Sequence, residues 1–110
     1  MEPLEPPPSA RAEDTPRADN SITISWDVSP TPGVQYRIYR YKYDTTTKIA
    51  TPESLQPITI NQLTYIDTRS VVDGQTYIYR IVALKGTEES ENYAETNEVT
   101  PVKDASSGTP

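Results

Sequence analysis

The chain has 110 residues, no cysteine, no histidine and a formal net charge of −6 at pH 7. This length predicts one domain, and its composition excludes disulfide support and the usual histidine and cysteine ligands of zinc. The negative charge argues against nucleic acid and anionic membranes as partners, and no apolar run is long enough for direct membrane insertion.

The first predicted element is a proline-rich linker at residues 1–9. Five prolines lie within the first 16 residues, interspersed with acidic side chains, and a segment of this composition packs poorly. Its Pro-x-x-Pro pattern also suggests a peptide that docks in a groove, but the acidic context favours a stiff spacer. Residues 103–110, mostly Ser, Gly, Thr and Pro, predict a flexible linker. The ordered domain is therefore expected at residues 10–102, with part of the N-terminal stretch as a candidate edge strand.

Short segments with a two-residue alternation of polar and apolar side chains fill this domain, and none has a sustained helical period. The strand candidates, in chain order, are residues 21–26, 34–43, 49–51, 57–60, 63–66, 77–84 and 96–102. Turn signals such as Asp73-Gly74 separate them, and the polar, glutamate-rich residues 85–94 predict a loop. Seven short strands without helices predict an antiparallel sandwich of two sheets.

Three segments of the chain resemble the fibronectin type III family. Ile22-Thr23-Ile24-Ser25-Trp26 is similar to the second strand of the family with its core tryptophan, and Tyr36-Arg37-Ile38-Tyr39-Arg40 is similar to the third. The most specific segment, Asp73–Ala83, resembles the Gly-x-x-Tyr-x-x-x-Val-x-Ala strand, in a form typical of bacterial or archaeal members. The resemblance covers Ala10–Val102 and implies a seven-stranded antiparallel, immunoglobulin-like sandwich.

The resemblance and the alternation together predict the core. Trp26, the single tryptophan, lies on an apolar strand face and can fill much of a small core. Tyr77 follows a glycine turn, which is typical of a tyrosine corner with a buried ring and a hydroxyl bonded to nearby backbone. Residues two apart share a face, so the predicted core residues are Trp26, Tyr36, Ile38, Tyr77 and Ile81.

No catalytic or metal-binding chemistry is predicted. A serine nucleophile would lack the usual histidine base, and the acids of residues 88–98 are typical of a solvated surface rather than of paired carboxylates in a cleft. The spacing of Asp67, Asp73 and the other acids matches no known calcium loop. We therefore expect neither an enzyme nor a bound metal or cofactor. Residues 85–94 contain no Arg-Gly-Asp, so the integrin-binding role of some family members is not implied.

The candidate binding face lies on the third strand. Since Tyr36 faces inward, Tyr39, Tyr41 and Tyr43 face outward. The resemblance implies that this strand pairs with the strand of Tyr77, whose outward residues include Ile78, Arg80 and Val82. Two interpretations stay open for this aromatic surface: the tyrosines only cover the sheet, or they contact a neighbouring domain, a protein partner or a sugar ring.

The sequence thus predicts a monomeric, non-catalytic spacer or interaction module of a larger secreted or surface-anchored multidomain protein. As a fragment of a longer precursor, it is expected outside the cell or at the cell surface. Its expected partners are neighbouring domains or another protein, and polysaccharide is a further candidate. Two alternatives are an accessory module that positions carbohydrate or domains in a polysaccharide-active enzyme, and the exposed part of a lipoprotein. This step rests on analogy of fold.

Overall fold

The structure is a computed structural model that describes residues 4–53, 55 and 57–103. In this part of the chain all regular structure is β-strand, as the alternation predicts. The strands are β1 (Ala10–Asp14), β2 (Ile22–Trp26), β3 (Gln35–Asp44), β4 (Ile49–Pro52), β5 (Ile58–Ile60), β6 (Thr64–Asp67), β7 (Tyr77–Lys85), β8 (Glu88–Glu89) and β9 (Ala94–Glu95).

The strands form two antiparallel sheets. The smaller sheet has the order β1-β2-β6, and the larger has the order β4-β3-β7-β8, with β5 also paired to β3 and β9 also paired to β7. β4 and β5 occupy one position beside β3, and β8 and β9 occupy one position beside β7. The nine strands therefore fill seven positions, and the predicted immunoglobulin-like sandwich of two sheets is confirmed.

The core lies between the sheets, on the faces that the two-residue period assigns to it. Alternate residues of β2 point at alternate residues of β3 and β7, and the ring centroids of Trp26 and Tyr36 are 5.7 Å apart. The five residues predicted for the core all lie in this buried cluster: Trp26, Tyr36, Ile38, Tyr77 and Ile81.

The turn before β7 has the geometry of a tyrosine corner. Gly74 has a φ of +93°, a conformation that glycine adopts without a Cβ clash. The Tyr77 ring is fully buried, and its hydroxyl accepts a hydrogen bond of 3.0 Å from the backbone N–H of Val72. The corner thereby ties the loop after β6 to the start of β7.

The predicted N-terminal linker needs a correction where the structure describes it. Leu4 packs against the core cluster and Pro7 is buried. The backbone of Glu5 is bonded at both ends, because its N–H donates to Thr31 Oγ1 at 3.0 Å and its carbonyl accepts from Ser29 Oγ at 2.6 Å. Residues 4–9 are thus part of the domain rather than of a linker that ends at Ser9. Residues 1–3 and 104–110 lie outside the described residues.

The C-terminal part of the predicted strand order also needs a correction. The strand predicted at residues 96–102 is reduced to an isolated bridge between Val99 and Tyr77, while β8 lies inside the predicted loop 85–94 and β9 begins at its last residue, Ala94. Gly86, with a φ of +65°, lies in the turn that leads β7 back into β8. Edge strands need only pair their backbones, so a polar composition does not exclude them.

Candidate functional site

The structure brings the predicted face residues together on the outer surface of the larger sheet. In the register of β3 and β7, Tyr39 lies opposite Arg80, and Tyr41 lies opposite Ile78. Tyr43 lies further along β3, opposite Ala50 of β4. The three tyrosines are half-buried. We call Tyr39, Tyr41, Tyr43, Arg80 and Tyr93 the tyrosine–arginine face.

The aliphatic residues expected on this wet face are buried instead. Ile78 is 4% exposed, Val82 is 7% exposed and Leu84 is 3% exposed, although all three point away from the core between the sheets. In the register of β3 and β7, Tyr41 lies opposite Ile78 and Arg37 lies opposite Val82, and side chains of this length can cover their cross-strand neighbours. Ile78 and Val82 therefore stabilise the sheet locally, and the contact surface consists of the tyrosine rings and Arg80.

Arg80 is held between two aromatic rings. Its guanidinium carbon is 4.4 Å from the centroid of the Tyr41 ring and 4.5 Å from that of the Tyr93 ring. Its Nε donates to Glu95 Oε2 at 2.8 Å. Partial burial opposes the charge of Arg80, but the hydrogen bonds to Glu95 and Tyr41 and the charges of Tyr93 and Glu95 together raise the pKa of the guanidinium. The result is a stack fixed by two cation–π contacts and one ion pair.

A second fixed cluster lies beside the stack. Glu89 accepts hydrogen bonds from the Tyr39 hydroxyl and from Arg37 Nη1, the latter at 2.7 Å. The hydrogen bond from Arg37 to Glu89 raises the pKa of Arg37. The pKa of Tyr39 is also raised, mainly by burial and secondly by its own hydrogen bond to Glu89. Arg80 of the face and the neighbouring Arg37 are thus each paired with a carboxylate, which offsets their positive charges.

The sequence prediction missed Tyr93, Glu89 and Glu95. It assigned Tyr93 and Glu89 to a polar loop, and Glu95 to a solvated surface. Tyr93 is 47% exposed and completes the stack on Arg80. The sequence feature that could have indicated this contact is a tyrosine, Tyr93, among acidic residues in the segment that follows the strand of Arg80. Recognising this signal required the pairing of β8 and β9 with β7.

A buried ionic network on the opposite face of β3 was also missed. Arg40 and Asp67 have fully buried side chains, and Arg40 Nη1 donates to Asp67 Oδ2 at 3.0 Å. The Tyr79 hydroxyl donates to the same carboxylate oxygen at 2.8 Å. Glu53 Oε1 accepts from Arg40 Nε at 2.7 Å, and Arg69 Nε donates to Asp67 Oδ1 at 2.9 Å. The network joins both sheets to the segments after β4 and β6.

The electrostatics of this network are those of a closed structural cluster. Burial opposes ionisation of Asp67, but hydrogen bonds from Arg69 and Tyr79 and the charge of Arg69 hold its pKa below the usual range. Burial and the charge of Asp67 raise the pKa of Tyr79. Burial opposes the charge of Arg40, yet the bond to Glu53 and the charge of Asp67 raise its pKa. These shifts favour a charged pair of Arg40 and Asp67 and a neutral Tyr79.

No group of three or more His, Cys, Asp or Glu side chains within residues 4–53, 55 and 57–103 is placed to hold a metal ion. Over the same ranges, the structure has no helix of the length and apolarity that a membrane span requires.

Comparisons with known proteins identify the fold of this domain. No family model and no curated protein matches the sequence. The solved structure of FN3tt matches with a TM-score of 0.61 at 15% identity, over 91% of this chain and 98% of that one. The third fibronectin III domain of the human KIAA0343 protein matches with a TM-score of 0.62 at 16% identity, over 91% and 84% of the two chains.

The chain has the fibronectin type III fold. The twitchin kinase region from C. elegans matches with a TM-score of 0.63 at 17% identity. The match covers 90% of this chain and 17% of the twitchin chain. At such identities the likeness establishes the fibronectin type III fold alone, so the function has to be argued from this domain's own surface.

Proposed function

We propose that this fibronectin type III-like domain is a non-catalytic interaction module of a larger secreted or surface-anchored multidomain protein. It contacts a protein partner, in the first instance a neighbouring domain, through the tyrosine–arginine face. The observation that carries the proposal is the stack in which Tyr41 and Tyr93 hold the Arg80 guanidinium from two sides.

The composition of the face supports this use. Tyrosine and arginine are enriched among the residues that contribute most to binding energy at protein interfaces. The ion pairs of Arg37 and Arg80 fix their side chains before a partner arrives, which lowers the entropic cost of ordering them. A surface that served only as solvated sheet would favour Thr, Lys and Glu.

The charge balance indicates what kind of partner fits. Arg80 of the face and the neighbouring Arg37 are each paired with a glutamate, so neither offers an uncompensated charge to a strongly charged ligand. Aromatic rings with half-buried edges suit a flat, moderately polar protein surface. The chain as a whole is acidic, which argues further against nucleic acid.

The test is a double substitution that leaves the covered aliphatics in place. The double variant Tyr43→Ser, Tyr93→Ser removes two rings of the face but retains Tyr41, which lies opposite Ile78 in the sheet. Affinity for the adjoining domain of the parent protein, measured by calorimetry, should fall by at least about 30-fold, which corresponds to the loss of one hot-spot residue. Val28→Ser with Leu63→Ser is the matched control, because both aliphatic side chains are exposed away from this face.

Affinity unchanged by the tyrosine pair but reduced by the control pair would contradict the proposal. The wild-type domain could instead be retained on insoluble cellulose, chitin or xylan. If the Tyr43→Ser, Tyr93→Ser variant is no longer retained, the face binds polysaccharide instead of protein. A circular dichroism melt of each variant separates loss of binding from loss of folding.

A further inference from the structure

One edge of the smaller sheet has no neighbouring strand. In the order β1-β2-β6, β6 takes the last position, and no further strand in the described part of the chain pairs with it. The Trp26 N–H donates to the Leu63 carbonyl at 3.0 Å. Because bonded residues alternate along an antiparallel pair, Tyr65 also bonds towards β2, whereas the N–H and C=O groups of Thr64 and Ile66 point to the unpaired side.

The side chains of β6 leave this side open. Thr64 Oγ1 donates to the Ile24 carbonyl at 3.0 Å, so the hydroxyl is turned towards β2 and away from the edge. Ile66 lies opposite Thr23 and is 53% exposed. Asp67, the one charged residue of β6, is fully buried. A partner would therefore meet a neutral backbone edge with one exposed aliphatic side chain.

The other sheet edges of the described chain are protected. At the edge of β1, the Asn97 amide accepts from the Ala12 N–H at 3.0 Å and donates to the Ala12 carbonyl at 2.9 Å. The edge formed by β4 and β5 carries Pro52 and Pro57, which have no N–H to donate. β8 and β9 have two residues each and carry glutamates. Covered, proline-bearing, short or charged edges prevent pairing with another chain, and β6 has none of these features.

The chemistry of the open edge indicates what fits it. Unpaired N–H and C=O groups at strand spacing match the backbone of another extended segment, and an antiparallel partner would exchange both bonds with Thr64 and with Ile66. The charge indicates which segment. A second copy of the chain carries the same net charge of −6 and is repelled, whereas a neutral or basic segment is not.

We propose that the β6 edge binds an extended segment of a partner protein, neutral or basic, as an added antiparallel strand of the smaller sheet. Thr64 and Ile66 bond its backbone, and an apolar side chain of the segment packs beside Ile66. The tyrosine–arginine face lies on the outer surface of the larger sheet, so this site is separate from it and goes beyond the proposed function.

Amide hydrogen exchange of the ¹⁵N-labelled domain tests this, with the end-blocked peptide Lys-Thr-Val-Thr-Val-Lys as the probe. In the free domain the amides of Thr64 and Ile66 should exchange fast, while Tyr65, whose N–H points to β2, exchanges slowly. At saturating peptide, exchange at Thr64 and Ile66 should slow by about tenfold or more, because these amides become bonded. The reversed-charge peptide Glu-Thr-Val-Thr-Val-Glu should bind more weakly.

Two substitutions at one position separate the backbone from the side chain. Ile66→Pro removes an N–H that points away from β2, which edge strands tolerate, and should abolish the protection of Thr64 by the peptide. Ile66→Lys should lower the affinity for the basic peptide by about fivefold or more, because it places like charges beside each other and removes the apolar contact. Val72→Thr, at a side chain that is 55% exposed on the loop before β7, is the matched control and should bind as the wild type does.

Four results would overturn the inference: unchanged exchange at Thr64 and Ile66 with peptide, undiminished binding by Ile66→Pro, equal affinity for the two peptides, or protection that rises with domain concentration alone, which would assign the edge to a second copy. The exchange measurement on the wild type needs no substitution, so the test stands if Ile66→Pro fails to fold. Binding of the adjoining domain at the tyrosine–arginine face should be unaffected by Ile66→Lys, so the two proposals fail separately.

Discussion

Asp67→Asn should be among the most destabilising isosteric changes in the chain. Each carboxylate oxygen of Asp67 accepts two hydrogen bonds: Oδ2 from Arg40 and Tyr79, and Oδ1 from the side chain and backbone of Arg69. Asparagine has a single acceptor oxygen. In either orientation its amide NH₂ faces two donors, and the buried charge of Arg40 loses its neighbouring carboxylate.

The expected loss in the free energy of unfolding is roughly 3–5 kcal/mol, the usual cost of removing one partner of a buried ion pair. This is a large part of the roughly 5–15 kcal/mol that stabilises a typical domain. Urea unfolding followed by Trp26 fluorescence should show a lower midpoint with an unchanged slope. The control is Asp27→Asn, because Asp27 pairs with Arg11 at 3.5 Å on side chains that are 54% and 59% exposed, and such pairs contribute little. Equal midpoints for the two variants would refute the argument.

Three further predictions follow from the same structure. Tyr77→Phe should cost about 1–3 kcal/mol, because the Val72 N–H loses its acceptor, whereas Tyr43→Phe on the outer face should be near neutral in the same urea titration. Trp26→Ala should cost roughly 3–5 kcal/mol in thermal or urea unfolding, and a smaller loss would show that the core does not depend on this ring. The lowered pKa of Asp67 means that its stabilising contribution is present above the ordinary aspartate pKa of about 3.9 and is lost as pH falls through the lower value in the folded protein. Urea midpoints measured down this acid range should therefore fall less steeply for Asp67→Asn than for wild type, and parallel curves would be evidence against the assignment.

The strands whose two faces differ in polarity could be predicted from the sequence. β2, β3 and β7 each alternate over several residues, and the period-two pattern identified their inward residues without structural information. The tyrosine corner followed from the turn and Tyr77 together, and only the direction of its hydrogen bond was missing. The hydroxyl accepts this bond from the backbone N–H of Val72.

The elements that depend on partners distant in sequence could not be predicted in this way. Composition describes residues 4–9 as a linker, yet their docking depends on the Ser29 and Thr31 hydroxyls, more than 20 residues away. The two-residue period does place Arg40 on the inward face of β3, but a charged residue there makes sense only beside the carboxylate of Asp67.

In the candidate site, too, the alternation predicted which face each residue lies on but not the contacts with residues distant in sequence. The alternation assigned Tyr39, Tyr41 and Tyr43 to one outward face, and the structure places them there. It could not show that Ile78 and Val82 would be covered, because that depends on how the long side chains of β3 lie across β7. Nor could it show Tyr93 on Arg80, which requires the edge pairing of β9.

Chemical-shift mapping of the ¹⁵N-labelled domain, titrated with the adjoining domain of its parent protein, tests the central functional claim most directly. The account predicts that the largest shifts occur at Tyr39, Tyr41, Tyr43, Arg80 and Tyr93, with the Arg80 Nε–H signal perturbed because its stack lies at the centre of the contact. Shifts confined to the smaller sheet or to Val28 and Leu63, with none on the tyrosine–arginine face, would contradict it.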